Sequence, residues 1–406
     1  MGSPITFLHA ADLHLDSPFK GLSEVPEHLF SEILESTFQA LDRLVQTAID
    51  KQVDFVLLVG DLFDQEVHSL KAQIRLRRKM EELEHHGIHV YASYGNHDFM
   101  TKDPFRVGFP ENMHVFPGEQ VTSFTFVKGD GTEAAVHGFS YENRAVTDRK
   151  VDEYEVEGGS ADYHIATLHG SIQTNTDHDV YAPFRLGELT GKEFDYWALG
   201  HIHKREVLHE NPPVIYPGNI QGRNRKELGE KGCYHVTLSE SGADYSFIPL
   251  QEIQFETMSV DMAGVQDVHH LEKTIIEKAR ELVPGRCLID LKLYHMDASS
   301  QEWAGQHVVE DLVDLVNEPL AAASPWSYIF RVEVEESFKL DEQLKKGEHF
   351  IGELIRSFSE TEIDSFLDDL YQQKQARKYL TPVPEEEKRK IKAEAEQMLL
   401  RELLRK

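Results

Sequence analysis

The feature that most restricts how this chain can fold is a pattern that recurs five times: a short apolar run ends on a turn carrying Asp, Asn or His. Ile5 to Leu8 leads into HAADLHLDSP, which holds Asp12 and His14, and Phe55 to Val59 leads into Gly60-Asp61-Leu62-Phe63-Asp64. His89 to Tyr94 ends in Gly95-Asn96-His97-Asp98, Tyr163 to Leu168 in His169-Gly170, and Tyr196 to Leu199 in Gly200-His201-Ile202-His203. Each run is short and rich in β-branched or aromatic residues, as a buried strand is. Phe38, Leu41, Leu44, Val45, Ala48 and Ile49 keep one helical face, and Ile74, Met80 and Leu83 suggest another, so helices alternate with the early strands. Ligands in open α/β sheets gather beyond the carboxyl ends of the strands, where all five polar clusters fall. A lone Asp-x-His would be read as a turn cap, and with 22 histidines a stray His at a strand end means little. Five strand ends together point to one composite site.

The candidate ligands are two carboxylates (Asp12, Asp61), one amide oxygen (Asn96) and four imidazoles (His14, His169, His201, His203), with no sulfur. Such a set suits Mn, Fe, Zn or Co and is unlike a cysteine-rich structural zinc site. Seven ligands are too many for one ion but suit two if a carboxylate bridges. Asp61 is the natural bridge, with Asp12, His14 and His203 completing one set and Asn96, His169 and His201 the other. Two ions roughly 3.5–4 Å apart can activate water and clamp both sides of a phosphoryl displacement.

Asp12-x-His14, Gly60-Asp61-x-x-Asp64, Gly95-Asn96-His97-Asp98, His169 and Gly200-His201-x-His203 together resemble the full signature of the calcineurin-like metallophosphoesterases, in order, over about the first 250 residues. The resemblance implies an α/β fold, a β-sandwich flanked by helices, and the same division of ligands between two divalent ions. It implies that His97 contacts the phosphate or protonates the leaving oxygen, with Asp98 orienting it. HAADLHLDSP, GDLFDQ and YPGNIQGRNRKELGEKGCYHV (Tyr216 to Val236) are similar to the SbcD-type DNA repair exonucleases, most closely their YhaO-like branch. Some of those relatives carry His at the position of Asp64, so that histidine's phosphate-binding role does not carry over. For Asp64 an orienting role and a plain turn role both stay open. Manganese is the ion favoured by the donor set and the resemblance.

The remaining residues assign domains. At 406 residues the chain predicts two or three: a nuclease domain over 1–250, a small α/β capping domain over 251–340 and a helical region over 341–406. In the second, Val268–Leu282 and Val308–Val316 read as helices, while Cys287–Leu293 and Ser327–Val334 read as strands, the latter alternating as a half-buried strand. By resemblance this unit helps to position DNA. In the third, Ser359 and Glu362 make a capping box, and Ile391, Ala395, Met398, Leu399 and Leu403 share one helical face. By resemblance that tail grips the coiled-coil base of an SbcC-like ATPase (YhaN in the YhaO branch); docking on its own protein is the competing reading, and the sequence leaves a homodimer open.

Seventy-one acidic against 42 basic residues give a formal charge of −29, which argues against tight unaided binding of a polyanion. Lys204, Arg205, Arg223, Arg225 and Lys226 are the candidates for meeting DNA phosphates on the site rim, with Arg106 and Arg144 on nearby loops. Two cysteines, no signal peptide and no long apolar run predict a cytoplasmic protein without a membrane partner. The expectation is a two-metal DNA phosphodiesterase: an exonuclease, with endonuclease action left open, serving as nuclease subunit of a repair complex. The rivals are a phosphoesterase acting on a nucleotide or phosphoprotein, and a non-enzymatic scaffold for the ATPase.

Overall fold

The computed structural model describes residues 2–22, 24–64, 69–99, 107–156, 161–173, 181–296 and 306–334, together with 353, 354, 356–358, 383, 388, 389, 391, 392 and 395. Two six-stranded sheets stack face to face. The first runs β12-β11-β1-β2-β3-β4, from β1 (Ile5–Ala11), β2 (Phe55–Val59), β3 (His89–Ser93), β4 (Met113–Val115), β11 (Gly232–Ser239) and β12 (Gly242–Pro249). The second runs β5-β6-β7-β8-β10-β9, from β5 (Thr122–Val127), β6 (Glu133–Gly138), β7 (Tyr163–His169), β8 (Tyr196–Gly200), β9 (Glu206–Glu210) and β10 (Pro213–Tyr216).

The apolar runs are continuous because the central strands are buried on both faces. Phe7, Phe55, Leu57 and Val59 turn inward to meet Val136, Ile165, Tyr196 and Ala198 of the facing sheet. Their neighbours Leu8, Ala10, Val56 and Leu58 turn outward, under α1 (Glu27–Lys51) and α2 (Leu70–His85). In α2 the buried stripe runs through Leu76 rather than the expected Ile74, which is only partly buried. Arg75 and Lys71 of α2 pair with Glu35 of α1, and Lys79 with Asp42, so the basic run from Arg75 ties the two helices together.

Register brings the site together. In the first sheet Ala11 lies opposite Val59, and Val59 opposite Ser93, all in parallel strands. In the second, His169 lies opposite Gly200, again in parallel. The residues that follow these strand ends therefore emerge along one edge of the sandwich.

A third sheet, β13 (Ile253–Asp261), β14 (Arg286–Tyr294) and β15 (Ser327–Val334), carries α4 (Val268–Leu282) and α5 (Gln306–Ala321); the short α3 (Leu186–Thr190) precedes β8. β15 does not alternate as expected: Ser327, Tyr328 and Ile329 are buried in succession. Tyr328 and Trp326 pack with Leu29 and Ile33 of α1, while Asn317 of α5 bonds both the N–H and the carbonyl of Ile329, so this end is covered on both faces.

Met1–Leu293 and Ala298–Val334 form one compact unit; Tyr294–Asp297 and Glu335–Lys406 form a second. In the second, Glu353, Leu354, Arg356, Lys388, Arg389, Ile391, Lys392 and Ala395 are helical, and Ile391 and Ala395 are exposed. Ser359, Glu362, Met398, Leu399 and Leu403 lie outside the described residues. No helix among the described residues is long and apolar enough to cross a membrane.

Candidate metal centre

The ligand-bearing turns are bent in ways side chains resist. Asp12, His14, Asp61 and His201 all have positive φ, at 52°, 42°, 47° and 96°. Left-handed backbone costs non-glycine residues roughly 1–2 kcal/mol each, and four such residues at one edge mark a geometry enforced by the surrounding fold. Backbone bonds from Asp12 N to Gly60 O and from His14 N to Asp61 O zip the two turns together beyond the strands. Gly95 answers a need for space: a Cβ there would sit 2.3 Å from an Asp61 carboxylate oxygen and 2.7 Å from His169 Nε2.

Asp12, His14, Asp61 and His203 offer ligand atoms close enough to hold one ion. His203 Nδ1 lies 2.9 Å from Glu227 Oε1, which fixes that nitrogen as the N–H and leaves Nε2 with its lone pair. His14 Nδ1 lies 3.4 Å from Asp64 Oδ1 without a hydrogen bond, and a metal on Nε2 would leave the ring proton on that nitrogen. The two Nε2 atoms then point at each other 3.1 Å apart. Burial, with Arg223 adding to it at His14, lowers both imidazole pKa values and keeps the rings neutral. A cation shared by the two nitrogens would take the lone pairs of both neutral rings. Burial and the charge of Asp61 push Asp12 well above the usual carboxylate range, and an ion would relieve that conflict too. The residues fit a bound divalent metal.

The second set converges on Asn96. Its Oδ1 lies 3.1 Å from His169 Nε2 and 3.1 Å from His201 Nδ1, while His169 Nδ1 is 3.1 Å from the carbonyl of Val59. One oxygen of Asp61, Oδ2, lies 3.7 Å from His14 Nε2 and 3.6 Å from His169 Nε2, so it stands between the two sets. Burial would raise the Asp61 pKa, but the imidazoles of His169 and His97 and the His97 backbone N–H outweigh it and hold it down.

His97 is exposed beside this pair, its ring 4.9 Å from that of His14. Its Nδ1 lies 3.1 Å from the Asp64 carbonyl, which sets the ring's direction. Asp98, expected to orient His97, turns the other way: Oδ2 accepts the N–H groups of Leu62 and Phe63, and Oδ1 that of Gly95. It holds the Asp61 and Asn96 turns against each other. Burial and the Asp61 charge raise it to about 8 despite those three bonds.

The cleft over the site has a volume of about 690 Å³ and is lined by Arg144, Lys204, Lys226 and Lys231 together with Tyr181 and Leu228. Of the five basic residues expected on the rim, Lys204 and Lys226 are there. Arg205 instead stacks on Phe247 with Glu230 nearby, and Arg225 faces Asp290. Arg223 is half-buried against Asp64 and Glu227. Arg106 lies outside the described residues. Glu227 and Lys231 went unnoticed in the sequence; the Lys231 ammonium donates to the His203 carbonyl at 3.0 Å, and burial lowers its pKa. Cys233 and Cys287 are buried free thiols, and burial pushes Cys287 up to about 12.

A helix-flanked double sheet with such a cluster along one edge defines a metal-dependent phosphoester hydrolase, and comparison with known proteins agrees. Residues 5–205 match the calcineurin-like phosphoesterase family. The uncharacterized metallophosphoesterase YhaO of Bacillus subtilis is 33% identical over 407 residues, covering 99% of both chains. The DNA double-strand break repair protein Mre11 of Methanopyrus kandleri is 24% identical, over 66% of this chain and 61% of its own. That of Archaeoglobus fulgidus is 22% identical, over 69% and 65%. The chain belongs to the calcineurin-like metallophosphoesterases, a family that works with a dinuclear metal site.

Proposed function

We propose that this protein is a two-metal DNA phosphodiesterase that trims DNA ends, with manganese as its activating ion. The observation that carries the reading is the cationic cleft: in a chain of net charge −29, four basic side chains gather over the paired ligand sets. A polyanionic phosphodiester is the ligand such a local reversal of charge suits. The similarity to Mre11 proteins, named for double-strand break repair, supports the same substrate.

When bound, the two ions supply Lewis-acid stabilisation of the phosphoryl group and lower the pKa of water. Asp12, His14 and His203 would hold one ion, Asn96, His169 and His201 the other, and Asp61 both. Lys204 and Lys226 bind the backbone flanking the scissile phosphate. His97 donates its Nδ1–H to the Asp64 carbonyl, which can only accept, so Nε2 is the nitrogen that faces the leaving oxygen, and the doubly protonated ring passes its Nε2 proton there and is left neutral with Nδ1–H. The helical tail recruits an SbcC-like ATPase through Ile391, Ala395, Met398, Leu399 and Leu403, a reading supported by the exposure of the first two.

The test is a substrate panel. End-labelled single-stranded and duplex oligonucleotides, a cyclic nucleotide and a phosphoprotein are incubated with the purified chain in manganese. The oligonucleotides should be degraded at rates well above the others. Preferential turnover of the cyclic nucleotide or the phosphoprotein would replace this reading with another reaction at the same centre.

A further inference from the structure

Asp64, Arg223 and Glu227 form a chain of charge behind the first ligand set. Asp64 Oδ1 lies 3.4 Å from His14 Nδ1 without a hydrogen bond, and that buried nitrogen has no hydrogen-bond partner among the described residues. Glu227 Oε1 takes His203 Nδ1 at 2.9 Å, and its other oxygen accepts the Arg223 backbone N–H at 2.7 Å and the Asn219 amide at 2.8 Å. Between the carboxylates lies the Arg223 guanidinium. One terminal nitrogen is on Asp64, while the other is 3.7 Å from Glu227 Oε1 and 3.3 Å from His203 Nδ1. The three side chains are only 9–14% exposed.

We propose that Asp64, Arg223 and Glu227 are positioning residues acting as one strut: Glu227 holds the outer nitrogen of His203 by a hydrogen bond, Asp64 sets its charge against the outer nitrogen of His14, and the guanidinium fixes the distance between the carboxylates. The inference rests on the two-ion reading above. Histidine ligands need their second nitrogen held so that the lone pair stays aimed at the metal. His14 and His203 stand on different turns, 189 residues apart in the chain. A planar fork can touch two carboxylates at once, whereas a lysine ammonium, a point charge, cannot reproduce that span. The guanidinium also offsets one of two negative charges held largely out of solvent, which would otherwise repel. The strut gives Asp64 a role that needs no contact with substrate, and it explains why Arg223 lies under the cleft rather than on its rim.

The test is manganese binding to the full chain by titration calorimetry without substrate, using wild type, Arg223→Lys and Asp64→Asn. Arg223→Lys keeps the positive charge but not the fork, Asp64→Asn keeps the size but not the charge, and near-ultraviolet circular dichroism checks the fold. Wild type should bind two ions; binding of fewer would overturn the two-ion reading itself. In both variants one ion should weaken about 10–100-fold, as loss of groups orienting metal ligands does elsewhere, while the other stays within about twofold. Repeating Arg223→Lys in a His201→Ala background, which disables the second set, should leave only the weakened ion. Wild-type affinity for both ions would overturn the strut and return Arg223 to substrate binding. Equal weakening of both would also overturn it, as a general disturbance of the edge.

Discussion

Lowering the pH should cost this protein stability through His9, a residue that binds nothing in the site. His9 sits within β1, fully buried, three residues before Asp12. Its Nε2 is 3.0 Å from the Leu199 carbonyl and its Nδ1 3.0 Å from the Tyr196 hydroxyl, so it ties the strand leading to Asp12 and His14 to the strand leading to His201 and His203. A carbonyl only accepts; Nε2 therefore carries the proton and Nδ1 accepts from the tyrosine, which satisfies the neutral ring. Burial, opposed in part by the Leu199 bond, lowers its pKa from 6.5 to about 3. Between those values the unfolded chain binds a proton that the folded one refuses, so stability is full above the unfolded pKa and falls as pH drops toward 3. At pH 4.5 the gap is two units, or about 2.7 kcal/mol at 1.36 kcal/mol per unit, a large share of the roughly 5–15 kcal/mol a folded protein has. Urea unfolding of chelator-treated wild type and His9→Gln, at several values from pH 7 to 4.5, isolates this effect, because the other buried histidines are common to both. Wild type should lose about 2.7 kcal/mol more than the variant over that range. Parallel losses would refute the reasoning.

Gly95→Ala should weaken manganese binding about 10–100-fold, because the new Cβ meets Asp61 and His169; unchanged affinity in a titration would show that the turn can yield. Magnesium alone should support little hydrolysis in metal-stripped protein, since it prefers all-oxygen sites and keeps its waters; vigorous turnover in magnesium would contradict this. Deleting everything after Tyr379 should leave metal content and weak nuclease activity intact but abolish co-elution with an SbcC-like ATPase on size exclusion. Residues 381–406 carry seven basic and six acidic groups, so apolar contact should dominate that docking, and undiminished co-elution would rule it out.

The strands and the clustering of the candidate ligands were legible because they follow a local rule. Each candidate lies at or just beyond the end of a buried run, and parallel register does the rest. What was not legible depends on contacts distant in sequence. Asp98 adjoins His97, yet it turns back into the protein while His97 faces the cleft, so adjacency misassigned its partner. Glu227, Lys231 and Arg223 lie in a loop whose shape comes from Asn219 and Gln221 bonding to its own backbone and to Ile253. No periodic pattern marks such a loop, and its charges read as a solvated rim. β15 resembled a half-buried strand because its second covering, α1, lies some 300 residues away in the chain.

Bound manganese and DNA turnover, measured together on wild type, Asp61→Ala and His97→Ala, bear most directly on a dinuclear centre that hydrolyses DNA with Asp61 shared and His97 serving as the proton donor. Wild type should carry two ions per chain and digest end-labelled duplex. Asp61→Ala should carry none and be inactive, while His97→Ala should keep both ions and lose about 10²–10⁴-fold in rate. A metal-free His97→Ala, or an Asp61→Ala protein that keeps its ions and its nuclease activity, would contradict it.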